Sequence, residues 1–407
     1  MTPPSAPVPF AAVRDIPTAH AAFHGWMFGQ ALPFWAGPGN DAPGRGVQEA
    51  MNLDGTPAGL PFKRMRVQAR QIYVYSHAAL LGWDAGRDVA GDAYAFITRH
   101  GSRADGAWSR RLTPDGTVLD SAADLYDLAF VLFALAWHAR LTRSEEPLAR
   151  ARRTVDYILA HMPHPPAGYH NVLPYEDGPR QQNPHMHLLE AMLALLETTG
   201  DSFYAAQAHA LVALFRRHLF DPGTGTLGEF FNRDWTPAPG DAGTHVEPGH
   251  HLEWVWLLDQ YTRLTGEDTA AEAARLYSFA RRHGMDPATG LVWDAVGRDG
   301  TLRQASARLW PQTEALKAYC VTAARGDGGD AAAMAAQAVR TIGTRYLGGG
   351  PDGTWLDQLD VHGAPTSKSI PTSSFYHVFM GYAELDRFSL SLRGQTVKRF
   401  DDGVRGS

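Results

Sequence analysis

An all-α fold, built as a ring of helical hairpins, is what the sequence predicts. Apolar residues recur with a helical period in twelve segments, which begin near residues 17, 63, 86, 123, 146, 184, 202, 248, 268, 306, 329 and 372. The segments at 123, 184 and 249 are apolar almost all round, as buried helices are, whereas those that follow them at 146, 202 and 268 carry a single apolar stripe. Such alternation is expected when inner helices line a ring and outer helices shield them, and six pairs would close it.

A short aromatic stretch recurs between the helix pairs. In each copy a tryptophan is followed seven or eight residues later by a glycine: Trp108 and Gly116, Trp293 and Gly300, Trp355 and Gly363. The repeat predicts short β-hairpin loops on one rim of the ring.

We expect one domain over residues 1–407, with flexible tails at about 1–15 and 392–407. A solenoid of stacked helix pairs, or two helical domains, would give a similar pattern. No linker argues for a split. Two Pro/Gly-rich loops, 33–62 and 236–249, have a length that is often functional.

Composition excludes several classes of protein. The net charge of -6 provides no basic field for nucleic acid. The single cysteine, Cys320, lies in an apolar stretch, which fits a buried thiol in a reducing cytoplasm. The first fifteen residues do not read as a secretion signal, and we find no run of about 20 apolar residues that would span a membrane. We therefore expect a cytoplasmic protein, monomeric or homodimeric, without nucleic-acid or membrane partners.

Histidine is the side chain best matched to proton transfer near neutral pH, and several of the 18 histidines open apolar helices. His187, His250 and His377 all lie near such beginnings, and Arg70 lies in the apolar stretch 66–75. A buried arginine is costly unless it meets an anion or an acidic partner. In a ring the beginnings of inner helices face one end of the central cavity, so we expect these four side chains to converge.

Helical spacing relates these histidines to their neighbours. Asn183 and His187 are four apart and share a face, while His185 points elsewhere. His250 and Glu253 are three apart, so that the carboxylate could hold the imidazole's orientation and tautomer. Each pattern also has a structural interpretation: a core histidine, a buried ion pair, or a polar cap at 373–377.

Metal and cofactor chemistry find little support in the motifs. His185-x-His187 and His250-His251 are rich in histidine, but neither is an HExxH site, and adjacent helical residues diverge by about 100°. Glycine-rich nucleotide loops and the GxSxG elbow are lacking, and Lys317 has only its rarity to recommend it as a Schiff-base lysine. We expect no metal and no cofactor.

Six stretches together resemble the N-acylglucosamine 2-epimerase family, which includes sugar isomerases and epimerases. They run in family order from residue 69 to 377: ARQIYVYS, DLYDLAF, NPHMHLLEA, EPGHHLEW, RLWPQTEALKA and SSFYH. The resemblance implies an (α/α)6 barrel whose site lies at one end of the cavity and needs no metal.

The resemblance also implies roles for individual residues. His250, supported by Glu253, and His377 would flank C1 and C2 of an opened sugar, and Arg70 would polarise its oxygens. The remaining positions would contact the sugar. Tyr126, Asn183 and His187 would bind its hydroxyls, Trp310 would form a wall of the pocket, and Glu314 would belong to the same surface.

The reaction that we expect is aldose–ketose isomerisation through a cis-enediolate. The WPQTE and PTSSFYH versions of the motifs are most similar to the D-mannose isomerase branch, which implies D-mannose and D-fructose, with D-lyxose and D-xylulose as a second pair. No basic cluster or phosphate loop accompanies the motifs, so a neutral monosaccharide is favoured. Two alternatives stay open: a sugar 2-epimerase, and an (α/α)6 glycosidase or carbohydrate-binding protein. The glycosidase would need two opposed carboxylates, of which only Glu253 is well placed.

Overall fold

Inner helices of 16–18 residues surround a central axis, and an outer helix packs behind each of them. The computed structural model describes residues 8–326 and 329–395. The helices are α1 (Ile16–Trp26), α2 (Leu32–Ala36), α3 (Met65–Leu80), α4 (Gly86–His100), α5 (Leu125–Thr142), α6 (Glu146–His161), α7 (Asn183–Thr199), α8 (Ser202–Leu214), α9 (Asp241–Thr244), α10 (Pro248–Thr265), α11 (Ala270–His283), α12 (Leu309–Ala324), α13 (Ala331–Arg345) and α14 (Phe375–Leu392). Single turns of 3-10 helix at Phe10–Ala12 and Thr372–Ser374 and of π-helix at Met27–Ala31 and Phe215–Leu219 adjoin them.

The inner helices close on themselves. Helix α3 packs on α5, and the contacts continue through α7, α10, α12 and α14 back to α3. Five of the inner helices are followed directly by their outer partners, α4, α6, α8, α11 and α13. The sixth outer helix is α1, which packs on both α13 and α14. The predicted (α/α)6 barrel is therefore confirmed, and the solenoid is not what the chain forms.

Burial explains why the two kinds of helix differ in composition. Helix α5 is apolar on all sides because it touches other helices all round, and Leu128, Val131 and Leu135 are each 0% exposed. By length and composition this helix could cross a membrane, but 89% of it is buried inside the barrel. Helix α11 instead buries one stripe, Ala273, Leu276 and Ala280, and leaves its arginines toward solvent.

Short strands lie at the rim of the barrel where the inner helices begin. They are β1 (Ala50–Asn52), β2 (Lys63–Arg64), β3 (Arg111–Leu112), β4 (Val118–Asp120), β5 (Ala123–Asp124), β6 (Val172–Leu173), β7 (Arg180–Gln181), β8 (Phe220–Asp221), β9 (Thr226–Leu227), β10 (Phe230–Phe231), β11 (His245–Val246), β12 (Ala295–Gly297), β13 (Leu302–Gln304), β14 (Ser306–Arg308), β15 (Gln358–Asp360) and β16 (Ser369–Pro371). All pairings are antiparallel, in the orders β1-β16, β2-β3-β4, β5-β6, β7-β10, β8-β9, β11-β12-β13 and β14-β15.

The predicted hairpin loops are present at all three places. Gly116, Gly300 and Gly363 have φ of 94°, 84° and 80°, which glycine adopts without strain, and each closes a turn by donating its N–H to the carbonyl three residues earlier. Two more turns of this kind end at Gly55 and Trp235. The tryptophan repeat missed these two because no tryptophan lies seven or eight residues before Gly55 or Trp235, although both turns carry the aspartate and threonine that also mark the turns at Gly116 and Gly300.

The ends of the chain differ in part from the expected tails. Residues 8–15 are packed: Val13 is 2% exposed, and Phe10 lies so close to Gly343 that a side chain there would collide with it. The ordered chain thus begins before residue 15, because apolar side chains in this stretch cover α13. At the other end α14 runs to Leu392; residues 1–7 and 396–407 of the expected tails lie outside the described residues.

Candidate active site

Two of the predicted catalytic histidines meet at one tryptophan. The ring of Trp310, from the first turn of α12, lies 5.0 Å from the ring of His250 on α10 and 5.5 Å from that of His377 on α14, centroid to centroid. Each histidine is the third residue of its helix, and each is less than a tenth exposed. The barrel thus brings two residues 127 positions apart in the sequence against the same aromatic ring.

The orienting partner of His250 is not Glu253. Its Nδ1 lies 3.0 Å from both carboxylate oxygens of Glu229, a residue between β9 and β10. The prediction that Glu253 steadies His250 is therefore wrong. Spacing of three residues permits such a contact, but Glu253 points deeper into the barrel, while Glu229 reaches the ring from the rim.

Glu253 instead belongs to a buried group beneath the histidines. It is 1% exposed, and neither of its oxygens has a hydrogen-bond partner in the described part of the chain. Burial, with the neighbouring carboxyl of Glu314, raises the pKa of Glu253 well above its usual value. Its surroundings therefore favour the protonated, uncharged form of the carboxyl group.

Glu314 orients His377 instead of forming a wall of the sugar pocket. It is fully buried, and its Oε1 lies 2.8 Å from Nδ1 of His377. Its other oxygen pairs with the ammonium of Lys317 at 2.6 Å. The role in sugar contact that we expected for Glu314 is thus replaced by support of a histidine, and the rare lysine is an ion-pair partner.

His187 repeats the arrangement within one helix. Its Nδ1 lies 3.0 Å from Oε2 of Glu190, whose other oxygen accepts from the hydroxyl of Tyr376. Burial lowers the pKa of His187 to about 4, so this imidazole is neutral. Since Glu190 occupies Nδ1, Nε2 is the nitrogen left for a ligand.

His250 and His377 differ in charge: one ring is protonated and the other is neutral. Burial alone would lower the pKa of His250, but the carboxylates of Glu229 and Glu247 raise it to about 9. Burial, together with the cations of Arg70 and Lys317, lowers the pKa of His377 well below its usual value. At neutral pH the site therefore pairs an imidazolium, which can donate a proton, with a neutral imidazole, which can accept one.

Arg70 lies in the cavity among aromatic rings. It donates from Nη2 to the hydroxyl of Tyr126 at 2.7 Å and from Nη1 to the carbonyl of Ser373 at 3.1 Å, and its guanidinium lies 4.0 Å from the ring centre of Phe130. No carboxylate of the described residues forms an ion pair with it, so that of the two partners expected for a buried arginine, an anion is the one that remains. Its charge is thus available to an oxygen that becomes negative.

Tyr126 and Asn183 line a polar cleft of about 420 Å³ that opens beside these residues. The buried Oδ1 atoms of Asn183 and of Asn171, also in the cleft wall, have no partner among the residues that the structure describes. Buried acceptors without partners fit a ligand that brings hydroxyl donors.

The cluster of Glu253, Glu314 and His377 has the composition of a metal site. One ligand atom from each lies within 4.8 Å of the others. However, the ammonium of Lys317 already lies 2.6 Å from a Glu314 oxygen, so the chain supplies a cation to this cluster itself.

Other polar groups singled out in the sequence have structural partners. His185 accepts from the backbone N–H of Tyr169 through Nε2, and its Nδ1 faces the carbonyl of Gln181, so it points away from the cavity as expected. Cys320 is buried. Two orienting glutamates escaped sequence reasoning: Glu190 could have been found from its spacing to His187, whereas no pattern marks Glu229.

The chain is similar to known proteins over most of its length. The profile of the N-acylglucosamine 2-epimerase family matches residues 46–381. A Rhizobium meliloti (strain 1021) protein named mannose-6-phosphate isomerase is 34% identical over 383 residues, which are 91% of this chain and 98% of that protein. The D-mannose isomerase of Thermobifida fusca is 28% identical over 76% of this chain and 80% of its own length.

The fold is also shared with a solved structure. Cellobiose 2-epimerase from Spirochaeta thermophila DSM 6192 superimposes with a TM-score of 0.80 over 93% of this chain and 98% of that one, at 24% identity. At this identity the likeness concerns the barrel alone.

Proposed function

Since the chain belongs to the N-acylglucosamine 2-epimerase family and is a sugar isomerase or epimerase, we propose that it interconverts D-mannose and D-fructose. The observation that carries the proposal is that a protonated and a neutral imidazole both lie against the ring of Trp310. An isomerase needs a base for the proton on C2 and an acid for the carbonyl oxygen on C1, and this pair provides both.

Each proton has a place to go. The His250 imidazolium assists ring opening and donates to O1 while Nε2 of neutral His377 takes the C2 proton, which yields a cis-enediol. His250, now neutral, takes the proton from O2, and the His377 imidazolium returns its proton to C1, which yields the ketose. Both histidines finish in their starting states. Arg70 stabilises the negative charge that develops on the sugar oxygens between the two transfers.

A neutral sugar is favoured over a phosphorylated one, although one relative is named for mannose 6-phosphate. The arginines of the polar cleft are already paired: Arg66 lies 2.6 Å from Asp127, and Arg110 lies 2.9 Å from Glu176. Asp124 stands between them, within 4.0 Å of both. A phosphate would have to displace these carboxylates, whereas sugar hydroxyls can bond to Asn183 and Tyr126.

A 2-epimerase is the second candidate because a third imidazole is close. Epimerisation needs an imidazole at each face of C2, one to take its proton and one to return a proton from the opposite side. Neutral His187, oriented by Glu190, has Nε2 left to accept the C2 proton. The glycosidase alternative is weaker, since Glu253 and Glu314 adjoin each other beneath the site instead of flanking a cleft.

Incubation with D-mannose in deuterium oxide, with a chelator present, tests the proposal. We expect fructose that carries deuterium at C1, seen by NMR, at a rate that the chelator leaves unchanged. Glucose labelled at C2, without fructose, would establish the epimerase instead. Turnover of mannose 6-phosphate but not of mannose would overturn the choice of substrate.

A further inference from the structure

The carboxylate of Glu229 is held from several sides at the rim of the barrel. Glu229 is 4% exposed, and Oε2 accepts from Nε2 of Gln182 at 3.0 Å. The amide oxygen of Gln182 in turn accepts from the indole N–H of Trp254 at 3.0 Å. Trp254 lies on α10, the helix that carries His250. Hydrogen bonds therefore connect Trp254 through Gln182, which precedes α7, and Glu229 to His250 on the same helix.

Other charged and titratable groups also face His250. They are Glu247 and Glu253 on its own helix, its neighbour His251, His187 on α7 and Glu314 on α12. Burial keeps the pKa of His187 and His251 low, and it raises that of Glu253. The two histidines are therefore uncharged at neutral pH, and the surroundings of Glu253 favour its uncharged form.

The two remaining carboxylates, Glu247 and Glu314, are bound to other side chains. Glu247 lies 3.0 Å from Arg308, and His245 lies 3.7 Å from its other oxygen. Glu314 is bound to Lys317 and to His377. Glu229 alone among these groups places both oxygens at 3.0 Å from the His250 ring.

We infer that Glu229 is a positioning residue: it fixes Nε2 as the nitrogen of His250 that faces the substrate, and it keeps that ring protonated. The catalytic consequence rests on the proposed function, in which His250 supplies the proton to O1. Without the charge of Glu229, the ring would lose the adjacent carboxylate that opposes the effect of burial, and the imidazolium would give up its proton at a lower pH.

The test compares Glu229→Gln with Glu229→Asp. Glutamine keeps the size and an acceptor oxygen but removes the charge, whereas aspartate keeps the charge on a shorter side chain. Glu384→Gln is the matched control: Glu384 is 6% exposed and pairs with Arg387 in the last turns of α14, away from the site. The protein is labelled with ¹³C-histidine, and the His250 signal, identified by its loss in His250→Gln, is titrated by NMR.

In Glu229→Gln we expect the His250 midpoint to fall by about 1–3 pH units, the usual effect of one adjacent opposite charge. Glu229→Asp, which keeps the charge at a greater distance from the ring, should lower the midpoint by a smaller amount, and Glu384→Gln should leave it unchanged. The alkaline limit of kcat/KM for mannose should move by the same amount as the midpoint. If Glu229→Gln does not fold, Glu229→Asp decides, since a displaced carboxylate should lower the midpoint measurably.

An unmoved midpoint in the folded Glu229 variants would overturn the inference. The titration needs no substrate, so it is independent of the proposed function. A wild-type protein that leaves mannose unchanged would refute the isomerase while the His250 shift still appeared. A mannose isomerase whose His250 midpoint ignored the charge at 229 would refute only the role of Glu229.

Discussion

Three histidines of the site share one arrangement: a glutamate carboxylate contacts Nδ1, which leaves Nε2 for the ligand. The partners come from the same helix for His187, from a neighbouring helix for His377 and from a loop for His250. A carboxylate on Nδ1 therefore does not by itself decide the charge of the ring. The other neighbours contribute as well, because Arg70 and Lys317 oppose a charge on His377 while Glu247 adds to the effect of Glu229 on His250.

Removing either proton-transfer group should abolish exchange of the sugar's carbon-bound hydrogen. We expect His250→Gln and His377→Gln each to reduce kcat by about 10²–10⁴, the usual contribution of a general acid or base. His209→Gln, a half-exposed position on the outer helix α8, is the control and should keep its rate. Folding is checked by circular dichroism, and a folded variant that retains more than a tenth of the activity would refute the assignment.

The pH dependence of kcat/KM should reflect the different protonation states of the two rings. His250 must be protonated, so activity should fall as the pH rises through about 9. His377 must be neutral, and because its pKa is lowered, activity should persist below pH 6.5, where an ordinary histidine would already be protonated. A plateau across neutral pH is expected in initial rates with mannose. Loss of activity on the acidic side with a midpoint near 6.5 would contradict the state given to His377.

Two histidine–glutamate pairs with the same spacing show what a residue pattern can predict and what it cannot. His187 and Glu190 are three apart and bond, whereas His250 and Glu253 are three apart and do not. Helical geometry allows both contacts, and the groups around each carboxylate select one of them. Sequence could therefore predict which helix beginnings carry the site, but not that His250 would take Glu229 from a loop 21 residues earlier.

At the scale of elements, the site depends on the close approach of α10 and α12. A Cβ built on Gly249 would lie 2.5 Å from the Trp310 ring and 3.0 Å from Cβ of Pro311. Glycine at this position lets Trp310 lie against the first turn of α10, where it meets His250. The position is specified by packing between two helices, which no pattern within either helix reveals.

Gly249→Ala should therefore displace Trp310 without touching a proton-transfer group. We expect KM for mannose to rise several-fold, with a loss of about 1–3 kcal/mol in the free energy of unfolding from overpacking. Steady-state kinetics and urea titration measure the two effects. Gly91→Ala on the outer helix α4, where a Cβ meets nothing within 4 Å, is the matched control and should change neither quantity adversely. An unchanged KM in Gly249→Ala would show that the sugar does not contact Trp310.

The helices themselves could be predicted because each has one environment along its whole length. Inner helices are apolar all round, outer helices are amphipathic, and the observed beginnings, such as Gly86, Glu146 and Ser202, lie where the periodicity starts. The two missed hairpins had the same turn geometry without a tryptophan seven or eight residues earlier. A repeat defined by one tryptophan therefore recovers only part of the set.

Closure of the whole ring is the feature that periodicity leaves undecided, because a solenoid has the same helical pairs. The decisive contacts join the two ends of the chain: the ring of Phe23 on α1 lies 5.9 Å from that of Tyr382 on α14, and His20 lies 2.7 Å from Asp386. Contacts across more than 350 residues leave no local pattern. They place the last inner helix, and with it His377, in register with His250.

Loss of the α1 contact should thus weaken the barrel as a unit. Phe23 is 0% exposed between Tyr382, Trp26 and Phe10, so Phe23→Ala leaves a cavity at the closure and should cost about 3–5 kcal/mol in the free energy of unfolding, measured in urea. Phe28→Ala, which removes a half-buried ring from the next turn, should cost less. Because Phe23 touches no group of the site, KM for mannose should stay at its wild-type value while the protein is folded. A decrease of less than about 1 kcal/mol in the free energy of unfolding of Phe23→Ala would mean that the barrel is stable without the contacts of α1. In that case the packing of α14 on α3 and α12 alone would fix its position.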